Sequence, residues 1–158
     1  MMRSIDKFFD GKSYVYQLMY FCLLVCVFKI LLLPFAIALK VIYPDISVQG
    51  SRHTWFDGLV YAPLLETLIF QLLIIRLLLL VSYFKQRPLL IFCISALLFG
   101  VAHTGNTTVL NATLAGIVLA YIYHYYYSRA QSGKAYWSTA IVHSASNLFA
   151  MLAAMLLT

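Results

Sequence analysis

Residues 62–71 read Ala62-Pro63-Leu64-Leu65-Glu66-Thr67-Leu68-Ile69-Phe70-Gln71, and they place Glu66, the only glutamate of the chain, inside a long apolar run. Removing a carboxylate from water is costly, so an acid in such a run indicates a functional site with specific partners. His103 ends a second apolar segment, and His143 lies in a third, with Asn147 four residues later on the same helical face. These side chains meet only if the three segments pack together.

Composition places the chain in a lipid bilayer. Hydrophobic residues make up 63% of the sequence and charged residues 10%, and the mean hydropathy is +0.89, far from the values of soluble domains. A spanning helix needs about 20 residues, so the length allows about five spans. The formal net charge of +6 comes from basic residues near the ends of apolar segments, where they set topology. We therefore expect a lipid bilayer partner and no nucleic acid.

The pattern predicts an all-α, polytopic transmembrane helix bundle of about five spans. A polar tail at residues 1–15 precedes a single transmembrane domain at residues 16–158, and the predicted spans are about 16–43, 57–84, 88–103, 108–128 and 136–157. Basic residues predict a cytoplasmic N-terminus in a bacterial-type plasma membrane. One side of the bilayer receives Arg3, Lys7, Lys12, Lys85, Arg87, Arg129 and Lys134, and the other receives Lys40 and Arg52. No pattern in the sequence fixes the oligomeric state.

The polar set formed by Glu66, His103, His143 and Asn147 suits hydrolytic chemistry. A buried carboxylate beside imidazoles can activate water as a general base, and a protonated histidine with the Asn147 amide can stabilise an oxyanion. The same residue types bind Zn²⁺, with Glu66, His103 and His143 as the ligands if a metal is present, and the sequence leaves this open. The HExxH, GxSxG and paired-aspartate signatures of other proteases are missing.

Three ordered motifs resemble those of the CPBP family, the CAAX-protease and bacteriocin-processing (Abi) membrane proteins. They are Pro-x-x-Glu-x-x-x-Phe-Gln, Phe-x-x-x-His and His-x-x-x-Asn, carried by Pro63, Glu66, Phe70, Gln71, Phe99, His103, His143 and Asn147. The resemblance covers about residues 60 to 150 and implies a four-helix core and an intramembrane endopeptidase acting on a peptide or membrane-protein substrate. It implies Glu66 as the base, His103, His143 and Asn147 as groups that position water or stabilise the oxyanion, and Phe70, Gln71 and Phe99 as supporting residues.

The chain departs from the family pattern at two positions. The family usually has a second glutamate and an arginine where this chain has Thr67 and Gln71. Losing both together is charge-compensated, because a carboxylate and a guanidinium can support each other. Glu66, the first acidic position, is retained, so we predict an active intramembrane peptidase.

Other functions fit the same residues. The chain is alternatively a catalytically silent family member that acts as a membrane immunity or partner-binding protein, or a small proton-coupled transporter that uses the polar set as a relay. Glutamate, histidine and asparagine also serve as interhelical contacts in membrane bundles. The missing second glutamate favours the silent member over the transporter.

The sequence predicts that His103 and His143 lie at different depths in the membrane, which would keep them apart. His103 lies about 24 Å beyond Arg87, whereas His143 lies about 9 Å beyond Trp137, counting 1.5 Å per residue. We therefore predict that the link at residues 104–108 is recessed into the bilayer and lines a water-filled cavity. Outside the site, we expect Lys29 to snorkel or to pair within the bundle, and Arg76 to snorkel toward the end of its span at Lys85 and Arg87. We expect His124 to belong to an interfacial aromatic belt.

Overall fold

A computed structural model describes residues 2–42, 54–103 and 106–156, and these residues are helical apart from short turns. No strand occurs among them, which confirms the predicted all-α bundle. The helices are α1 (Met2–Phe9), α2 (Tyr14–Ile42), α3 (Asp57–Leu80), α4 (Ser82–Lys85), α5 (Pro88–Ala102), α6 (Asn106–Tyr127) and α7 (Ser132–Leu156).

Three stretches of the described chain are long and apolar enough to cross a membrane: Tyr14–Leu32, Asp57–Leu80 and Ser132–Met155. Pro88–Ala102 is a shorter apolar helix. Together with the composition, these helices indicate an integral membrane protein. The count of five spans stays a prediction.

Helix α6 lies at the centre of the bundle, since it packs against α2, α3, α5 and α7. Its side chains from Leu119 onwards supply much of the buried core. Gly116 permits the close approach of α5, because a Cβ atom at that position would lie 3.0 Å from the Cα atom of Ala96. A helix shielded by its neighbours does not need a lipid-facing apolar surface, so the tyrosines of α6 are compatible with a place inside a membrane bundle.

Helix α3 combines α-helical and π-helical turns. Its entrance is closed by Thr54, whose hydroxyl accepts from the Asp57 N–H at 3.1 Å and donates to the Asp57 carboxylate at 2.7 Å. The stretches Asp57–Tyr61 and Thr67–Leu73 are π-helical, a geometry frequent at functional sites. An extended Val81, with φ −88° and ψ 124°, ends the helix.

The N-terminal segment packs on the end of the bundle formed by α6 and α7. The Tyr121 hydroxyl donates to Asp6 at 3.0 Å, and Arg129 contacts Asp10 at 3.2 Å. These contacts place the tail and the α6–α7 turn at the same end. Residues 43–53 and residues 104–105 lie outside the described residues, so the structure omits the first two residues of the link that we predict to be recessed.

Candidate active site

Pro63 shapes the first turns of α3. Proline has no N–H, so it cannot donate to the carbonyl groups of the preceding turn, at Gly58 or Leu59. Both carbonyls are satisfied from α7: the Asn147 amide nitrogen donates to Gly58 at 2.9 Å, and the Ser144 hydroxyl donates to Leu59 at 2.7 Å. The missing N–H of one helix is thereby compensated by side chains of another, and α3 and α7 are held in register.

Two further carbonyls of α3 receive donors from neighbouring helices. The Tyr136 hydroxyl of α7 donates to Leu64 at 3.1 Å, and the Ser95 hydroxyl of α5 donates to Phe70 at 2.9 Å. Glu66 lies between these two attachment points. Its backbone is therefore tied to both helices that carry the histidines.

The Glu66 carboxylate faces two imidazoles. Oε2 of Glu66 lies 3.4 Å from Nε2 of His143 on α7 and 3.7 Å from Nε2 of His103 at the end of α5. The structure thus brings together three residues that the sequence places on three segments. Both distances exceed those of good N–H···O hydrogen bonds, so neither imidazole is strongly hydrogen-bonded to this carboxylate oxygen.

The environment of these three side chains is asymmetric. The exposed fraction is 34% for the His103 side chain and 23% for Glu66, but only 4% for His143. The carboxylate therefore lies between an open side at His103 and a closed side at His143.

Phe99 holds both imidazoles. Its buried ring lies 4.5 Å from the His103 ring and 5.4 Å from the His143 ring, measured between centroids. Phe70 packs edge-on against it at 5.4 Å. The carbonyl of Phe99 also lies 2.8 Å from Nδ1 of His103. Because a carbonyl only accepts hydrogen bonds, Nδ1 of His103 carries a hydrogen, and Nε2 of the neutral ring presents its lone pair toward Glu66.

Asn147 differs from the other predicted site residues, because its amide nitrogen donates away from the carboxylate, toward Gly58. An amide nitrogen carries two hydrogens, so one donor remains for another partner. The sequence does not reveal this bond to Gly58, although the proline at position 63 signals that nearby carbonyls need donors.

Lys29 of α2 lies behind the α7 turn that carries the site. Its ammonium donates to the carbonyl of Ser146 at 3.0 Å, three residues after His143. The lysine therefore pairs within the bundle, which is one of the two outcomes that the sequence predicts. It brings α2, which belongs to none of the three motifs, into contact with the site helix.

Thr67 and Gln71, where the chain departs from the family pattern, are fully buried. The Thr67 hydroxyl and both polar atoms of the Gln71 amide have no hydrogen-bond partner among the described protein groups, and the same holds for Nδ1 of His143. A buried polar group without a partner costs about 1 to 3 kcal/mol.

The sequence predicts a large difference in depth between His103 and His143, and the observed start of α7 largely removes it. The helix begins at Ser132, eleven residues before His143, so this histidine lies about 16 Å along it. His103 lies about 22 Å beyond Pro88 on the same count. The difference falls from about 15 Å to about 6 Å, which tilted helices and side chains can span.

A metal ion does not fit the described residues well. They contain no group of three histidine, cysteine, aspartate or glutamate side chains with the geometry of a metal site. Glu66, His103 and His143, the ligand set that the sequence offers for Zn²⁺, do not form such a group.

Two other polar residues lie away from the site. Nε of Arg76 donates to the Tyr123 hydroxyl at 3.0 Å, and its guanidinium lies 5.2 Å from the Tyr127 ring centroid. His124 packs against Phe92 at a centroid distance of 5.3 Å. Arg76 therefore ties α3 to α6, and His124 makes a packing contact with α5.

Comparison with known proteins places this chain in a family. The family model described as type II CAAX prenyl endopeptidase Rce1-like matches residues 50–149. The chain belongs to the Rce1-like family. This match confirms the resemblance to CPBP proteins, and the matched range contains Glu66, His103, His143 and Asn147. Membership and the apolar helices together indicate an intramembrane peptidase. No curated protein and no solved structure matches the chain.

Proposed function

We propose that this Rce1-like protein is an intramembrane endopeptidase in which Glu66 activates the attacking water. One observation carries the proposal: a single carboxylate oxygen lies 3.4 Å and 3.7 Å from the Nε2 atoms of two histidines on two other helices. Neutral His103 offers a lone pair at Nε2, so two acceptors face each other across this gap. A water molecule that lies to one side of the two atoms, within hydrogen-bond distance of both, resolves that conflict, because it donates one hydrogen to each acceptor.

The proposed reaction follows from this placement. Glu66 takes a proton from the water while the oxygen attacks the carbonyl carbon of a peptide bond. An N–H group of His143, together with the second amide hydrogen of Asn147, stabilises the oxyanion that forms. The C–N bond then breaks, and the proton held by Glu66 passes to the leaving nitrogen. The products are a carboxylic acid and an amine.

The surroundings of Glu66 favour a substrate that arrives through the membrane. The neighbouring side chains Leu65, Leu68 and Ile69 are 42%, 45% and 38% exposed, which makes this part of α3 an outward apolar surface. We propose a peptide bond of a membrane-embedded peptide or protein as the substrate.

Comparative analysis of membrane peptides tests the proposal in cells. Cells that carry the wild type should accumulate cleavage products that are missing with Glu66→Gln. Asp57→Asn is the matched control, since it makes the same acid-to-amide change at the entrance of the same helix, where Asp57 bonds Thr54. Products that persist with Glu66→Gln would contradict the role of Glu66.

A second function is favoured by one observation, the replacement of the family's second glutamate and its arginine by uncharged, buried Thr67 and Gln71. In that case the protein is a catalytically silent member that binds a partner or confers immunity. Peptide binding by a wild type that cleaves no peptide would establish this second function in place of the first.

A further inference from the structure

Thr67 and Gln71 form a buried polar surface next to Glu66. They lie four residues apart in the π-helical stretch Thr67–Leu73, and both side chains are fully buried. Residues four or five apart share one face of a π-helix, so the hydroxyl and the amide lie on the same buried face of α3. Each is unpartnered among the described protein groups.

The chemistry of these groups defines the ligand that would satisfy them. The Gln71 amide needs both an acceptor and a donor, and the Thr67 hydroxyl can act as either. Neither group carries a charge, so an ion is poorly matched. Water, which both donates and accepts, fits this set, and buried waters typically bond two to four polar groups.

The sizes of the two side chains favour room for water at these positions. Threonine is smaller than glutamate and glutamine is smaller than arginine, the residues that the family usually places at these positions. The substitutions in this chain therefore remove volume from a buried, polar place beside Glu66. A polar and roomy site is the kind that holds water rather than staying dry.

We propose that Thr67 and Gln71 bind one or more buried water molecules, forming a hydration site on the buried face of α3 that follows Glu66. In this chain, water takes the place of the charged pair that other family members use. Its use as a supply of water for hydrolysis rests on the proposed function, whereas the binding of water does not.

Thermal unfolding of the full-length protein in detergent tests the hydration site without any substrate. Thr67→Ser and Thr67→Ala both remove the methyl group and differ only in the hydroxyl. If the hydroxyl binds water, the Thr67→Ser variant should have a Tm about 2 to 4 °C above that of the Thr67→Ala variant. Gln71→Met, which keeps the length of the side chain, should lower the Tm by a similar amount.

Thr139 offers the matched control pair. It is also fully buried, but its hydroxyl donates to the Ala135 carbonyl of its own helix at 2.7 Å. That carbonyl keeps its helical N–H partner, so Thr139→Ser and Thr139→Ala should differ little in Tm.

A Thr67→Ala variant as stable as Thr67→Ser, or a Gln71→Met variant more stable than the wild type, would show that the site is dry and would overturn the proposal. If the variants at Thr67 and Gln71 show the expected Tm differences but the wild type cleaves no peptide, only the proposed function is rejected.

Discussion

The amide nitrogen of Asn147 donates to the carbonyl of Gly58 at 2.9 Å, and this bond joins the third sequence motif to the entrance of α3. We predict that Asn147→Ala lowers both turnover and stability, because it removes an oxyanion donor and leaves a carbonyl near Pro63 without its side-chain partner. The expected cost in stability is about 1 to 3 kcal/mol.

Ser144→Ala is the control for the Asn147 prediction. It removes the corresponding donor to Leu59 without removing an oxyanion candidate. Its Tm should fall while its turnover stays nearer to that of the wild type. Loss of activity in Asn147→Ala at an unchanged Tm would mean that the bond to Gly58 contributes nothing to the fold.

Substitution of Phe99 provides a second test of the geometry of the site. Its ring contacts both imidazoles, so we predict that Phe99→Leu lowers kcat more than it raises KM, since the histidines lose their common support. Phe21→Leu is the matched control, because Phe21 is fully buried among the tyrosines of the tail end. Both variants should lose stability, by about 1 kcal/mol or more. Equal losses of kcat in the two variants would remove any special role for Phe99.

A charged pair can be restored at the positions where the chain departs from its family. We predict that Thr67→Glu and Gln71→Arg each destabilise the protein, because each buries an unpaired charge. The double variant should recover part of the loss, with a coupling energy of about 1 to 3 kcal/mol. A double-mutant cycle of unfolding in detergent measures this coupling. Strictly additive losses would mean that the two positions do not face each other.

Topology is predicted from the basic residues and from one contact. Arg129 contacts Asp10 at 3.2 Å, so the tail and the α6–α7 turn share one end of the bundle, which we propose to be cytoplasmic. Reporter fusions after Gly50 and after Gly133 should report opposite sides of the membrane, with Gly133 inside. Two reporters on the same side would contradict the five-span arrangement.

The sequence predicts the fold class and the convergence at Glu66 well, and physical reasons explain what it leaves out. Apolar segments and rare polar residues are local signals, so Glu66, His103 and His143 can be selected from the sequence alone. The Ser144 bond to Leu59 and the Lys29 bond to Ser146 depend on which helix faces which, and serine or lysine in an apolar segment gives no indication of its partner. The start of α7 at Ser132 is equally hidden, because Gly133 and Lys134 resemble a loop.

The role of Glu66 as a general base is tested most directly with purified protein and a peptide substrate identified in cells. We predict that Glu66→Gln lowers the cleavage rate about 100-fold to 10,000-fold, the range typical of general-base catalysis, with a Tm close to that of the wild type. Asp57→Asn and His124→Ala should cleave at nearly the wild-type rate, because both residues lie outside the site. If Glu66→Gln cleaves the peptide as fast as the wild type, Glu66 is not the catalytic base.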